Sequence, residues 1–281
     1  MMYITDDMLD RFIKEDVPYI DLTTQVLDVS GKRGRIEYIC RDEAVVCGSE
    51  EVQRILGKLN IATFQYVPSG VLVKPQTVIL SGEGLAEDLL MAWKVGQNIL
   101  EYVSGIATRT RRMLQLAREV NPRIEVNTTR KSFPGTKEFC IKAVVAGGGL
   151  PHRLGLSETV LVFPQHMGFI EGFEGLLAKM AHIKSRCLEK KVLVEVDTVA
   201  DAVRVCQAGA DGVQLDKMPP VELTKAVQAI RALDPGIVIL AAGGIKESNV
   251  QEYAATGVDV IVTSAVYFGR PVDVGVGMYP I

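Results

Sequence analysis

VLVEVDTVADAVRVCQAGADGVQLD, residues 192–216, decides the fold. The apolar, largely β-branched VLVEV reads as a strand, ADAVRVCQAG as a helix, and GVQL as a second strand. The same alternation repeats outward. Strands are expected near IEVNT (124–128), TVLVF (159–163), VILAA (238–242) and VIVTS (260–264), with helices at FEGLLAKMAHIKSRCLE (173–189) and PVELTKAVQAIRAL (220–233). Pro219 and Pro220 suit the first turn of that last helix and could not sit deeper in it. Apolar strands separated by helices imply a parallel α/β sheet covered on one or both faces. An incomplete barrel of six or seven strands and a doubly wound sheet fit this periodicity equally.

Toward the N-terminus the pattern is different. RIEYICR (35–41), EAVVCG (43–48), FQYV (64–67), GVLV (70–73) and TVILSGEG (77–84) are short and β-rich, interrupted by one helical piece, EEVQRILGKL (50–59). They predict a small α/β domain with a mostly antiparallel sheet. Residues 86–120 read as helical, with a break expected near Ser104–Gly105, and bridge the two parts.

The chain has 281 residues, 48% of them hydrophobic and 23% charged, with a net charge of −3, ordinary composition for a globular protein. Its apolar runs fall short of the roughly 18 residues of a membrane span. The start, MMYITDDMLD, is acidic rather than a basic-then-apolar leader, so a cytoplasmic protein is expected. Cys40, Cys47, Cys140, Cys187 and Cys206 are scattered without metal-ligand spacing and read as buried free thiols. With a pI near 5.8 there is no basic footprint for nucleic acid.

The basic residues that stand out lie in NTTRKSFPGTKEFCIKAVVAGGGLPHRLGL, residues 127–156. Arg130 and Lys131 leave the carboxyl end of a strand and turn through Pro134–Gly135. Lys137, Lys142 and Arg153 add charge, and Gly147, Gly148 and Gly149 allow close approach of backbone. The ligand class this suggests is phosphate or pyrophosphate. A parallel barrel places its site at the carboxyl ends of its strands. The polar residues there are Arg130, His166, Glu195 with Asp197, Asp216 with Lys217, Gly243–Gly244, and Thr263–Ser264.

TRKSFPGTKEFCIKAVVAGGGLPHRLGL resembles the signature of the quinolinate phosphoribosyltransferase (nicotinate-nucleotide pyrophosphorylase) family, and within it the branch of molybdenum-transport-system pyrophosphorylases. SGIATRTRR (104–112), VEVDTVADA (194–202), AGADGVQLDKM (208–218) and GGIKESNVQEYAATGVDVI (243–261) follow in order, so the resemblance spans almost the whole chain. It implies an α/β barrel over residues 106–266, an N-terminal domain over 1–105, and a tail, 267–281, returning to that domain. The implied activity is phosphoribosyl transfer from phosphoribosyl pyrophosphate with magnesium. Arg130, Lys131, His152 and Arg153 would surround the acceptor carboxylate and the pyrophosphate, with Lys131 catalytic. Glu195 and Asp216 would hold ribose hydroxyls and the metal, and Gly243 and Gly244 the 5′-phosphate. Small-molecule substrates and a homodimer with shared sites, or a higher oligomer, are implied as partners.

Several positions depart from the family pattern. Phe163 stands where a lysine would meet the acid substrate, Lys94 where an arginine reaches into the neighbouring subunit's site, Ala242 where a serine precedes the glycine pair, and Ser264 where a later glycine would be. Lysine cannot reproduce the planar bidentate grip of arginine. Ala242 and Ser264 belong to the phosphate loop, but the changes fall mainly on the acceptor side, so a less acidic heterocycle than quinolinate is expected. A non-catalytic accessory or sensor protein that keeps the anion pocket is the alternative.

Overall fold

Along β1 (Arg33–Cys40), Gly34, Ile36, Tyr38 and Cys40 are buried while Arg33 and Arg35 face outward, the period of two of a sheet covered on one side. The computed structural model describes residues 2–281. Before β1 lie α1 (Asp6–Asp16) and α2 (Leu22–Val26); after it come β2 (Ala44–Val45), α3 (Ser49–Lys58), β3 (Ala62–Tyr66), β4 (Leu72–Val73) and β5 (Thr77–Leu85). An antiparallel sheet runs β13–β1–β5–β3, its first strand β13 (Val274–Pro280) supplied by the C-terminus and paired with β1 from Gly34↔Pro280 to Cys40↔Val274. β2 and β4 form a separate two-stranded ladder. With α5 (Lys137–Ala146), these elements and the chain up to Arg111 make one compact unit: residues up to Arg111, Ser132–Gly148 and Tyr267–Ile281.

The expected break at Ser104–Gly105 does not occur, and α4 runs unbroken from Ala86 to Val120. A glycine in a helix costs about 1 kcal/mol against alanine, too little to end a helix that packs along its length. Here the pair serves packing. Ser104 Oγ accepts from the Cys47 amide at 3.0 Å, and a Cβ on Gly105 would come within 3.2 Å of the Pro271 backbone. Gly96 is similarly placed under the buried Tyr38, whose hydroxyl donates to the Ala92 carbonyl at 2.9 Å.

The second unit, Arg112–Lys131 with Gly149–Val266, is a seven-stranded, wholly parallel half-barrel. Its strands are β6 (Glu125–Thr128), β7 (Leu150–Pro151), β8 (Val160–Val162), β9 (Val192–Val196), β10 (Gly212–Asp216), β11 (Val238–Ala242) and β12 (Val260–Thr263), in the order β7–β6–β12–β11–β10–β9–β8. The helices of this unit are α6 (Pro164–Met167), α7 (Gly172–Ser185), α8 (Val199–Gln207), α9 (Pro220–Leu233) and α10 (Val250–Ala254). The seventh strand, β7, has only two residues, too few for an alternation to be read from sequence. Leu161, Leu193, Leu240, Ala242, Val260 and Val262 form one buried cluster joined by Phe163. Because strand side chains alternate, Glu195, Gln214, Asp216 and Ser264 follow on the same face at the carboxyl ends.

All five cysteines are free, four of them buried and Cys187 only half-buried. Among the described residues no helix is long and apolar enough to cross a membrane.

Candidate active site

At those strand ends lies a cavity of about 740 Å³. Arg130 and Lys131 enter from the end of β6, where the Thr129 amide donates to the Thr263 carbonyl of β12 and the Lys131 amide to Thr129 Oγ1 at 3.2 Å. The next strand supplies His152 and Arg153: β7 pairs Thr128 with Pro151, and the His152 amide then donates to the Thr128 carbonyl. Arg153 is only 7% exposed, and its guanidinium carbon lies 5.7 Å from the centre of the Phe163 ring. Burial and the charge of Arg130 both pull the Arg153 pKa down, although guanidinium stays charged. Among the described residues no carboxylate lies within ion-pairing distance of Arg130, Lys131 or Arg153.

His152 is held neutral. Burial foremost, with Arg153 beside it, pushes it down to about 4 against the pull of Glu158. Its Nε2 is buried without a protein partner. Opposite in sign, Glu195 and Asp216 sit on adjacent strands β9 and β10. Burial raises the Glu195 pKa, Gln214 opposes that through a 2.5 Å hydrogen bond from Nε2 to Oε2, and Asp216 reinforces it. Asp216 Oδ2 is 3.5 Å from Lys217 Nζ. Lys217 itself has φ +53°, a left-handed conformation costing a non-glycine residue roughly 1–2 kcal/mol, and its amide donates to the Ala242 carbonyl.

Gly243 and Gly244 follow β11, with φ of +87° and +75°. Both lie in the positive-φ region that glycine enters without a Cβ penalty, so the chain turns tightly beside the cavity. The turn is fastened by Asn249, whose Nδ2 donates to the Gly244 carbonyl and whose Oδ1 accepts from the Lys246 amide. A Cβ on Gly243 would stand 2.7 Å from Asp216 Oδ1 and 2.8 Å from the Lys217 backbone nitrogen, whereas one on Gly244 would meet nothing. Gly243→Ala is therefore expected to lower thermal stability by more than the roughly 1–2 kcal/mol of conformational strain alone, and Gly244→Ala by no more than that strain; paired unfolding curves check the difference.

Glu195, Asp216, Lys131, Arg130, His152, Arg153, Phe163, Gly243, Gly244 and Ser264 all line this one cavity. Lys94 does not. It is exposed on α4 in the other unit, with Nζ bonded to Gln97 Oε1 at 3.0 Å and 4.6 Å from the Trp93 ring. His166 is turned away too, since its Nδ1 accepts from the Phe163 amide at 2.9 Å and caps α6; Gln165 faces the cavity instead. Asp197 is exposed and outside it. The expectation that Lys142 and Gly147 serve the ligand is overturned. Lys142 is buried between Glu50 and Glu51 in the first unit, and a Cβ on Gly147 would stand 2.5 Å from the Ala107 carbonyl, so that glycine is needed where it packs on α4. Gln214, Gln165 and Lys246 line the cavity without having been singled out; the interior phase of β10 marks Gln214, and nothing local marks the other two.

Residues 21–104 match the model of the quinolinate phosphoribosyl transferase N-terminal domain, and residues 106–276 that of the C-terminal domain. The chain is 35% identical over 276 residues to a Pasteurella multocida protein named "Putative pyrophosphorylase ModD", covering 98% of each. A Rhodobacter capsulatus protein of the same name is 40% identical over 249 residues, 89% of this chain and 95% of that one. A nicotinate-nucleotide pyrophosphorylase (carboxylating), named as probable, from Methanothermobacter thermautotrophicus is 36% identical over 91% of each chain. Among solved structures, NadC from Streptococcus pyogenes superposes with a TM-score of 0.89 at 23% identity over the full length of both chains, and the nicotinate-nucleotide pyrophosphorylase of Ehrlichia chaffeensis with 0.90 at 23% over 99% of this chain and all of that one. Fold and both domain models agree: the chain belongs to the quinolinate phosphoribosyltransferase family of pentosyl-transferring enzymes.

Proposed function

We propose that the protein transfers the phosphoribosyl group of phosphoribosyl pyrophosphate to a ring nitrogen of a heterocycle other than quinolinate, releasing pyrophosphate. One observation carries the reading: a single cavity holds three cations with no carboxylate partner, Arg130, Lys131 and Arg153, together with the carboxylates of Glu195 and Asp216. Unpaired cations suit a polyanionic leaving group, and a carboxylate beside the ribose suits the positive charge that grows there as pyrophosphate departs. Gly243 and Gly244 offer N–H groups to the 5′-phosphate. The relatives named pyrophosphorylase support the same reaction type.

On the acceptor side, Phe163 and the guanidinium of Arg153 present a flat, singly charged wall, which favours an aromatic acceptor less acidic than a dicarboxylate. Two carboxylates beside open space for phosphate fit magnesium, a hard cation that keeps few protein ligands; Glu195 and Asp216 would hold it, and bound there it would neutralise pyrophosphate charge. Lys94, exposed and outside this chain's cavity, is assigned to the site of a second subunit in a homodimer. A cytoplasmic location and a connection with molybdenum transport complete the reading; the latter rests on the resemblance to that branch.

The test is pyrophosphate release from phosphoribosyl pyrophosphate and magnesium against quinolinate, nicotinate, and neutral and carboxylated heterocycles. Turnover with an acceptor other than quinolinate is expected. Saturable binding of phosphoribosyl pyrophosphate with no turnover across the panel would replace the enzyme by a binding protein.

A further inference from the structure

Lys217 follows β10 in a conformation that suits it badly. At φ +53° it is a non-glycine residue in the left-handed region, and glycine or asparagine would take that turn at less cost. The backbone is held there from both sides: the Lys217 amide donates to the Ala242 carbonyl at 2.8 Å, and the next residue, Met218, is buried. The fold needs the turn, but it does not need a lysine in it. Packing does not explain the side chain, which is 80% exposed. Its ion pair does not explain it either, since Nζ is 3.5 Å from Asp216 Oδ2 and a pair so open to water adds little stability. A long, exposed cation carried on strained backbone in the wall of the candidate cavity is accounted for by a ligand.

The position of this cation narrows the ligand. A Cβ on Gly243 would stand 2.5 Å from Lys217 Cγ and 2.7 Å from Asp216 Oδ1, so the lysine stem lies directly against the glycine turn, beside the Asp216 carboxylate. Arg130, Lys131 and Arg153 line the same cavity from the ends of β6 and β7, and β12 and β11 stand between those strands and β10. The cavity therefore has cations at two places along the sheet. A ribose with pyrophosphate on its anomeric carbon and phosphate on its 5′ carbon carries an anionic group at each end. Three cations suit the pyrophosphate, and the single ammonium at the glycine turn suits the lone phosphate.

We infer that Lys217 is a substrate-binding residue whose ammonium takes the 5′-phosphate of the phosphoribosyl donor at the Gly243–Gly244 turn. The inference rests on the phosphoribosyl-transfer reading and names a ligand contact within that site.

Titration calorimetry of the full chain with phosphoribosyl pyrophosphate, ribose 5-phosphate and inorganic pyrophosphate, each with magnesium, reads the contact. In Lys217→Met, which keeps the stem and removes the charge, affinity for the two 5′-phosphorylated ligands should fall about tenfold, the loss of one charge-assisted contact, while affinity for inorganic pyrophosphate holds within about twofold. Lys217→Arg should recover most of the loss. Lys217→Asn, suited to the left-handed turn, should melt no lower than the unmodified protein and still bind the 5′-phosphorylated ligands about tenfold more weakly, a combination that a residue serving only the fold would not give. Should ribose 5-phosphate bind too weakly to titrate, the ratio of affinities for phosphoribosyl pyrophosphate and pyrophosphate is read in its place. An equal loss for every ligand, a loss confined to pyrophosphate, or no loss at all would each overturn the assignment and leave phosphoribosyl transfer standing. If the unmodified protein does not bind phosphoribosyl pyrophosphate, the transfer reading fails and the inference falls with it.

Discussion

Lys142→Met is expected to destabilise the protein by about 3–5 kcal/mol, seen as a large fall in the urea midpoint at neutral pH. The ammonium of Lys142 is 2.8 Å from Glu50 Oε2 and also bonded to Glu51, and the side chains of Lys142 and Glu51 are 8% and 4% exposed. Removing the only cation of this triad leaves the buried Glu51 carboxylate beside the half-buried one of Glu50, and the cost lies in that uncompensated charge rather than in the lost bonds themselves. Replacing Glu51 as well, as Lys142→Met with Glu51→Leu, should recover part of the loss, because one of the stranded charges goes with it.

Acid supplies an independent check of the same triad. Burial alone would raise the Glu50 carboxyl, but the Lys142 ammonium and both donors of Ser69 outweigh it and bring its pKa down to about 2, from an ordinary 4.5. A carboxyl depressed on folding contributes stability that is complete above its unfolded pKa and is lost as pH falls through the folded one. The wild-type protein should therefore lose stability between about pH 4.5 and pH 2 through this group. In Lys142→Met the sign reverses, since carboxyls buried without a cation gain from protonation. The gap between the two proteins should narrow as pH drops from 7 toward 4, and a gap that stays constant would show that the triad is not the source of the loss.

How far the sequence could be read follows from the range of the interactions involved. The half-barrel was legible because runs such as VLVEV and VILAA carry their burial within five residues, and residues closing those runs, Glu195, Asp216 and Gly243, inherit their position from the strands before them. Lys142 was not. It lies in the apolar helical run FCIKAVVA (139–146), between Arg130–Lys131 and the glycine triplet, and only a contact 91 residues away, with Glu51, assigns it to a buried ion triad instead of an anion site. The unbroken α4 is a similar case: Gly105 looks like a breaker until the chain returns at Arg270–Pro271 to fill the space its missing side chain leaves. His166 shows the limit at a single step, since a histidine at a strand end can face the cavity or fold back three residues to cap the next helix, and its spelling is the same in both cases.

Glu195→Gln should slow phosphoribosyl transfer by about 10²–10³-fold in single-turnover measurements, the range found when one aimed electrostatic group is removed from an active site. Of the two carboxylates in the cavity, Asp216 has Lys217 Nζ at 3.5 Å, while Glu195 has no cation within ion-pairing distance and is held only by the amide of Gln214. A charge kept half-buried in an apolar strand with no cation at ion-pairing distance, Lys217 and Lys131 acting on it only from farther off, is costly unless a ligand brings opposite charge close. The substrate is polyanionic in its ground state, and the positive charge appears only at the ribose as the bond to pyrophosphate lengthens. Glu195 therefore interacts more strongly with the transition state than with the bound donor, the condition for raising rate rather than affinity. At about 4 Å and an effective dielectric constant near 20 such a pair is worth about 4 kcal/mol, or roughly 10³ in rate. Loss of the carboxylate charge should show mainly in the chemical step, with affinity for phosphoribosyl pyrophosphate weakened about tenfold or less. A slowing smaller than tenfold, in a variant that still binds the donor, would remove Glu195 from the catalytic role and leave it as a binding group for the sugar.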